Sequence, residues 1–273
     1  MKIISNPLEL KEHLREIGKT IGFIPTMGAL HEGHVSLIKN ARKENEIVVV
    51  SVFVNPTQFL KGEDLDSYPK RDEADKKICE LSGVDVLFLP NAKDIYSEDE
   101  VAVLAPKVRG YALEGETRPG HFSGVLTVVL KLLNIVAPTK AYFGKKDAQQ
   151  LHLISLMVKQ LFMSVQIVAI DTLRDKDGLA FSSRNIYLSP GERKESLKIS
   201  SSLYAASKMI SKKNLDAEEI KQSMREVLSP LVIGYVEILN RDFQIIKEVQ
   251  LGNSVILVEA LVGDTRLLDN IWL

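Results

Sequence analysis

Two histidines three residues apart, His31 and His34, sit in the run Pro25-Thr-Met-Gly-Ala-Leu-His-Glu-Gly-His34, where a short apolar segment turns into a helix. At this spacing both rings can share one face of a helix start and point at one polyphosphate. A protonated or hydrogen-bonding imidazole there would stabilise charge growing on the bridging oxygen as pyrophosphate leaves. Gly33 permits close approach of backbone to a ligand, and the first amides of the helix offer donors and the positive end of its dipole to phosphate. A zinc motif of the His-Glu-x-x-His type needs a spacing of four, and the spacing here is three. Neither a Gly-x-x-x-x-Gly-Lys-Ser/Thr loop nor a Gly-x-Gly-x-x-Gly turn follows the first strand, so a nucleoside triphosphate would be held by the histidine turn. A nicotinamide dehydrogenase is correspondingly disfavoured.

Other polar clusters fall at the ends of apolar runs. Asn55 and Gln58 lie just past a buried strand, where ligands bind in open α/β sheets. Lys146 and Asp147 follow Gly144 at a strand end; the ammonium suits phosphate oxygens and the carboxylate suits Mg²⁺, directly or through water. Ser182, Ser183 and Arg184 supply hydroxyls and a guanidinium fit for a departing polyphosphate. Arg118 and His121 flank a Pro119-Gly120 turn, Asp75 is a candidate for metal or water structure, and Asp64, Asp66 and Tyr68 lie in a polar loop able to act as a lid.

The elements that must position these groups are legible from periodicity. Strands are expected at 21–25, 47–54, 84–89, 141–144 and 165–170, the β-branched run 47–54 reading as buried on both faces. Helices are expected at 35–44, 72–81, 122–136 and 147–161. This alternation predicts a doubly wound, Rossmann-like parallel sheet over residues 1–172. Beyond it, helices at 190–211 and 217–228 and β-runs at 235–239, 254–261 and 265–271 predict a smaller C-terminal α+β domain, 173–273, with antiparallel strands. The first fourteen residues are amphipathic and carry no signal-peptide pattern.

Composition excludes several classes. The chain has 273 residues, 45% hydrophobic and 26% charged, an ordinary globular balance. A formal net charge of −1 gives no overall field for nucleic acid or an anionic membrane. Cys79 is the only cysteine, which excludes an internal disulfide and a cysteine metal cluster and suggests a packing residue. The longest apolar runs are too short to cross a bilayer, so a cytoplasmic location is expected.

Taken together, Pro25–His34, Phe53-Val-Asn-Pro-Thr-Gln-Phe59, Arg118-Pro-Gly-His-Phe122, Gly144-Lys-Lys-Asp-Ala-Gln-Gln150 and Ser182-Ser-Arg-Asn185 resemble, in the same order, the motifs of the pantothenate synthetases. That family lies within the nucleotidylyltransferase superfamily whose His-x-Gly-His turn holds ATP. The resemblance covers roughly residues 20–190. It implies ATP-dependent condensation of pantoate with β-alanine through a pantoyl-adenylate, releasing pyrophosphate and AMP, with Mg²⁺ and a homodimer. It also implies catalytic roles for His31, His34, Lys146, Ser182, Ser183 and Arg184. ATP contacts are implied at Met27, Gly28, Ala29, Leu30, His31, Glu32, Gly33, His34, Gly144, Lys145, Lys146, Asp147, Leu173, Phe181 and Ser182 to Arg184. Gln58 and Gln150 would hold pantoate, with Gln58 also meeting β-alanine; Asn55, Arg118 and His121 would line the acid and amine sites, and Asp147 and Asp75 the metal. Side-chain amides suit a small hydroxy-acid, because they orient hydroxyls and carboxylate without titrating. The chain departs from the family where Lys145 replaces a usual Glu, Ala148 a frequent aromatic and Phe181 a usual Met; Lys145 is expected to face solvent. A nucleotidyltransferase that stops at the nucleotidyl product is the alternative, and it should lack the Asn-Pro-Thr-Gln-Phe and Lys-Asp-x-Gln-Gln motifs.

Overall fold

The structure is a computed structural model that describes residues 1–273. The chain gathers into two compact units, Met1–Gly144 with Gln150–Ile170, and Lys145–Gln149 with Asp171–Leu273. The short segment Lys145–Gln149 thus goes with the second unit, an assignment that residue order does not reveal.

The first unit contains β1 (Lys2–Ile4), α1 (Pro7–Ile17), β2 (Ile21–Thr26), α2 (Glu32–Glu44), β3 (Ile47–Val52), α3 (Asp72–Leu81) and β4 (Val86–Phe88). The short helices α4 (Ala92–Ile95) and α5 (Glu114–Thr117) follow, then α6 (His121–Val136), β5 (Lys140–Gly144), most of α7 (Ala148–Gln160) and β6 (Gln166–Ile170). The six strands form one parallel sheet in the order β1-β4-β3-β2-β5-β6. Val48, Val49 and Val50 are fully buried, which in a parallel sheet requires helices on both faces. On one face Ile24, Val48, Val50 and Leu87 meet Leu37, Ile38 and Ala41 of α2 and Cys79 of α3. Alternate residues such as Phe23 and Val49 point the other way, where α1 packs on α6 and α6 on β2. Burial, with the nearby Asp75 charge, pushes the Cys79 thiol up to about 12, so it is an inert packing group.

Four elements of this unit escaped the sequence reading: β1, α1 and the four-residue helices α4 and α5, which are too short to show a period. The strand β1 has only three residues and draws its order from pairing with β4. The helix α1 has local signals after all: Asn6 caps the amides of Leu8 and Glu9, Pro7 opens the first turn, and Gly18 closes the helix at φ +61°.

The chain runs β2, β3, β4 toward one edge, then returns to place β5 on the other side of β2. Ligands bind at such a reversal, outside the carboxyl ends of the strands. Here the sheet is forked. Pairing of β2 with β3 continues to Thr26↔Val52, and β5 with β6 to Gly144↔Ile170, but β2 pairs with β5 only at Gly22↔Lys140 and Phe23↔Ala141. Thr20 and Thr26 direct their carbonyls to the β3 side and Ile21 its carbonyl to the β5 side, so by alternation Pro25 faces β5. Proline has no N–H to give, and it stands where the next β2–β5 bond would form.

The second unit carries α8 (Pro190–Ser211), α9 (Ala217–Leu228) and the antiparallel sheet β7 (Val232–Asn240), β8 (Ser254–Val262), β9 (Thr265–Trp272), in that order. Ile199 and Leu203 of α8 and Ile220 and Met224 of α9 pack on Val236, Ile256 and Val258. Ser189 and Glu192 form a reciprocal cap on α8, and Asp216 caps α9.

Candidate active site

The turn after β2 is built from one hydroxyl and one carboxylate. Thr26 Oγ1 donates to Ser51 O at 2.7 Å and accepts the Gly28 N–H at 3.2 Å. Gly28 (φ +87°) and Ala29 (φ +49°) then take left-handed conformations in succession. For Ala29 that conformation costs about 1 kcal/mol or more. A side chain at Gly28 would meet Asp75 Oδ2 and Val52 Cγ1, each 3.0 Å from its first carbon. What holds the turn is Asp75 of α3, only 2% exposed, whose two oxygens accept the N–H groups of Ala29 (2.8 Å) and Leu30 (2.7 Å). The amides of Ala29 and Leu30, expected at the nucleotide, are thereby committed inside the protein. Asp75, expected at the metal or in water structure, spends both its oxygens on backbone donors. Burial raises its pKa despite those two hydrogen bonds.

The histidines cap α2 with their own rings. His31 Nδ1 accepts the Gly33 N–H at 3.1 Å, and His34 Nδ1 accepts the His31 N–H at 3.3 Å. The ring centroids stand 4.1 Å apart. A backbone N–H can only donate, so each Nδ1 carries a lone pair and each neutral ring carries its proton on Nε2. Of the two alternatives the sequence left open, this arrangement favours the neutral hydrogen-bond donor.

Past β3, Asn55 opens the 3-10 turn Pro56–Gln58. Asn55 is 1% exposed, and its Nδ2 donates to Gln58 Oε1 (3.0 Å) and Gly124 O (3.2 Å). Its Oδ1 accepts from Tyr96 OH (2.7 Å) and Thr57 Oγ1 (3.0 Å). Both amide hydrogens are used within the protein, so Asn55 orients Gln58. With Oε1 held by Asn55, Gln58 turns its Nε2 toward Met27 Sδ at 3.0 Å, joining this amide to the histidine turn.

Arg118 and His121, expected to line the acid and amine sites, are held in a network of their own. The Arg118 guanidinium grips Glu63 through two bonds of 2.6 Å and donates to Gln58 O and His121 Nε2. His121 Nδ1 donates to Gln58 O at 2.7 Å. These residues clamp the loop that follows Gln58, where Tyr68 also packs edge-on against Phe59. Burial opposes charge on Glu63, but hydrogen bonds from Arg118 and the Leu60 N–H prevail and lower its pKa. A lowered carboxylate pKa gives stability that is complete above the ordinary value of 4.5 and disappears as pH falls through the folded value. Glu63→Ala leaves the buried Arg118 guanidinium without its carboxylate and should cost about 3 kcal/mol at neutral pH. The gap to the parent should close in acid. Melting curves at several pH values test this, and a gap that widens in acid would contradict it.

Gln150, in the first turn of α7, is partly exposed, and no hydrogen bond to the protein holds its side chain. In the second unit Lys146 Nζ lies 3.2 Å from Asp147 Oδ1. Lys145, expected in solvent, is instead 29% exposed, paired with Asp171 at 2.6 Å and set 6.0 Å from the Trp272 ring. Phe181 ends a hairpin closed by Phe181 N–Leu173 O (3.1 Å) and Asp175 N–Leu179 O (2.8 Å). Ser182 follows, its Oγ accepting the Arg184 N–H at 3.3 Å and opening the 3-10 turn Ser183–Tyr187. No cluster of three or more His, Cys, Asp or Glu side chains that could hold a metal ion forms anywhere. Asp147 alone is compatible with Mg²⁺, which commonly keeps water and nucleotide oxygens and takes only one or two carboxylates.

Thr26, Glu63, Tyr96 and Gly124 were not found from sequence. Each acts through a long-range contact, and none belongs to a motif of its own.

Comparison with known proteins identifies the family. The family described as Pantoate-beta-alanine ligase matches residues 2–272. A protein of Sulfurimonas denitrificans named pantothenate synthetase is 68% identical over the whole of both chains. The crystal structure of pantothenate synthetase from Thermus thermophilus superposes with a TM-score of 0.95, at 38% identity and 99% coverage of each chain. A pantoate-beta-alanine ligase from Francisella tularensis, described as complexed with beta-gamma ATP and beta-alanine, gives 0.83 at 36% identity, covering 99% of this chain and 97% of its own.

Proposed function

We infer the chemistry from one premise: the chain belongs to the pantoate–β-alanine ligase family. It is a ligase that joins pantoate to β-alanine by an amide bond, and ATP is its substrate. The observation that carries the reading of the site is the 3.0 Å contact between Gln58 Nε2 and Met27 Sδ, which sets an acid-orienting amide against the histidine turn. Gln58 and Gln150 orient pantoate, and Gln58 also meets β-alanine.

The reaction is two displacements. The pantoate carboxylate attacks the α-phosphorus of ATP and expels pyrophosphate, leaving a mixed anhydride. The amine of β-alanine then attacks the activated carbonyl and expels AMP. Nε2–H of His31 and His34 and the hydroxyls of Ser182 and Ser183 donate to the departing phosphates, and Lys146 and Arg184 neutralise charge on them. Mg²⁺, held by Asp147 and the phosphates, would supply further charge neutralisation. The anhydride is labile to water, so the site must stay closed to solvent until the amine arrives. The test is AMP release with pantoate, MgATP and β-alanine. AMP formed as fast without pantoate would sink the proposal.

A homodimer is proposed on the exposed apolar side chains Val101, Leu104 and Val108, 77–87% accessible and close together in sequence. Leu104→Glu should shift sedimentation from dimer to monomer; a parent already monomeric at micromolar concentration would refute this. A cytoplasmic location is proposed because ATP is supplied there, and no helix is long and apolar enough to cross a membrane.

A further inference from the structure

The last strand, β9, gives two adjacent residues to segments far away in the sequence of the same unit. Asn270, 3% exposed, donates through Nδ2 to the backbone carbonyls of both Lys145 (3.0 Å) and Lys146 (2.6 Å). Trp272 Nε1 adds a longer bond of 3.4 Å to Lys145 O. Asp269, also 3% exposed, takes the Arg174 guanidinium in a two-point grip, with the Nη2–Oδ1 arm at 2.9 Å. Arg174 in turn donates to Gly178 O and lies in the hairpin that delivers Ser182, Ser183 and Arg184. One strand therefore fixes the backbone beneath Lys146 and, through the neighbouring residue, the base of the serine–arginine segment.

We infer that Asp269 and Asn270 are positioning residues for the first displacement, registering Lys146 and the Ser182–Arg184 segment against the polyphosphate. The inference rests on the proposed phosphate role of Lys146 and goes beyond it by naming what holds that lysine in place. Two carbonyls converge on one amide group, and no side chain without a donor can replace it. Asn270→Asp keeps the size and puts a carboxylate oxygen against both carbonyls; Asn270→Ala removes the group.

The decisive measurement is a double-mutant cycle on full-length protein, reading kcat and KM for ATP in pyrophosphate release from pantoate and MgATP. Melting temperatures of each variant report folding. Asn270→Ala and Asn270→Asp should each lower kcat/KM for ATP by about 10- to 100-fold. In a Lys146→Ala background the same changes should cost less than about threefold, because the group they position is gone. Equal losses in both backgrounds would overturn the inference while leaving Lys146 in its role. A Lys146→Ala protein with parental turnover would instead overturn the role of Lys146, and the inference with it. If Asn270→Ala fails to fold, the Asn270→Asp arm alone decides.

Discussion

Replacing His34 by alanine is expected to slow pyrophosphate release about a thousandfold, which corresponds to about 4 kcal/mol of transition-state stabilisation. The fold should persist. His34 does two jobs: Nδ1 accepts the His31 N–H, and Nε2 carries the donor hydrogen. Losing the first is the loss of a helix cap, about 1 kcal/mol. Losing the second would, in the proposed mechanism, remove a donor from phosphates that gain charge as the α-phosphorus bond breaks. His34→Gln separates the two, because glutamine at this helix position can still accept from the N-cap amide. It should recover the melting temperature of the parent and little of its rate. A coupled pyrophosphate assay with pantoate and MgATP measures both variants. Near-parental release by His34→Ala would remove the histidine turn from the mechanism.

A second large effect is expected at Gly124, a helix residue that touches no substrate in the proposed mechanism. An added methyl there would lie 2.4 Å from Thr57 O and 2.8 Å from Gln58 N, inside the contact radius of backbone atoms that cannot rotate away. The 3-10 turn must then move off α6, and Gln58 moves with it. Gly124 O is also one of the two acceptors of Asn55 Nδ2, so the same displacement loosens the amide that orients Gln58. Gly124→Ala should lose about 2 kcal/mol of stability. Its kcat/KM for pantoate should fall about a hundredfold. Gly191 is the control, since nothing lies within 4 Å of a methyl built there and alanine is the better helix former. Should Gly124→Ala turn over pantoate normally, the tight contact does not position Gln58.

These two cases mark what the sequence could and could not reveal. Strong periodicity located the helices: 72–81, 190–211 and 217–228 coincide with α3, α8 and α9 to the residue. The strand expected over 47–54 stops at Val52, because past that point the chain turns toward Asn55 and Pro56. The histidine turn was visible because its parts are adjacent. Roles that depend on a partner far along the chain were not. Asp75 looks like one acid among several in a charged helix, and only its bonds to Ala29 and Leu30 distinguish it. Arg118 sits in a motif that resembles the family's, yet its charge is met by Glu63, fifty-five residues earlier. Asn55 reads as a turn residue or a ligand, and its bonds to Gln58, Gly124 and Tyr96 make it neither alone.

The fork in the sheet also bears on how faithfully ATP consumption is coupled to product. Any residue other than proline at position 25 would direct an N–H into the space that β5 has left, with no strand to receive it. Such a donor would be free to recruit water at the carboxyl end of the sheet, where the proposed anhydride would form. In the proposed two-step reaction Pro25 would protect the intermediate by leaving this end of β2 without a donor. A Pro25→Ala protein should therefore leak, releasing AMP from pantoate and ATP when β-alanine is withheld, at a rate that the parent does not show.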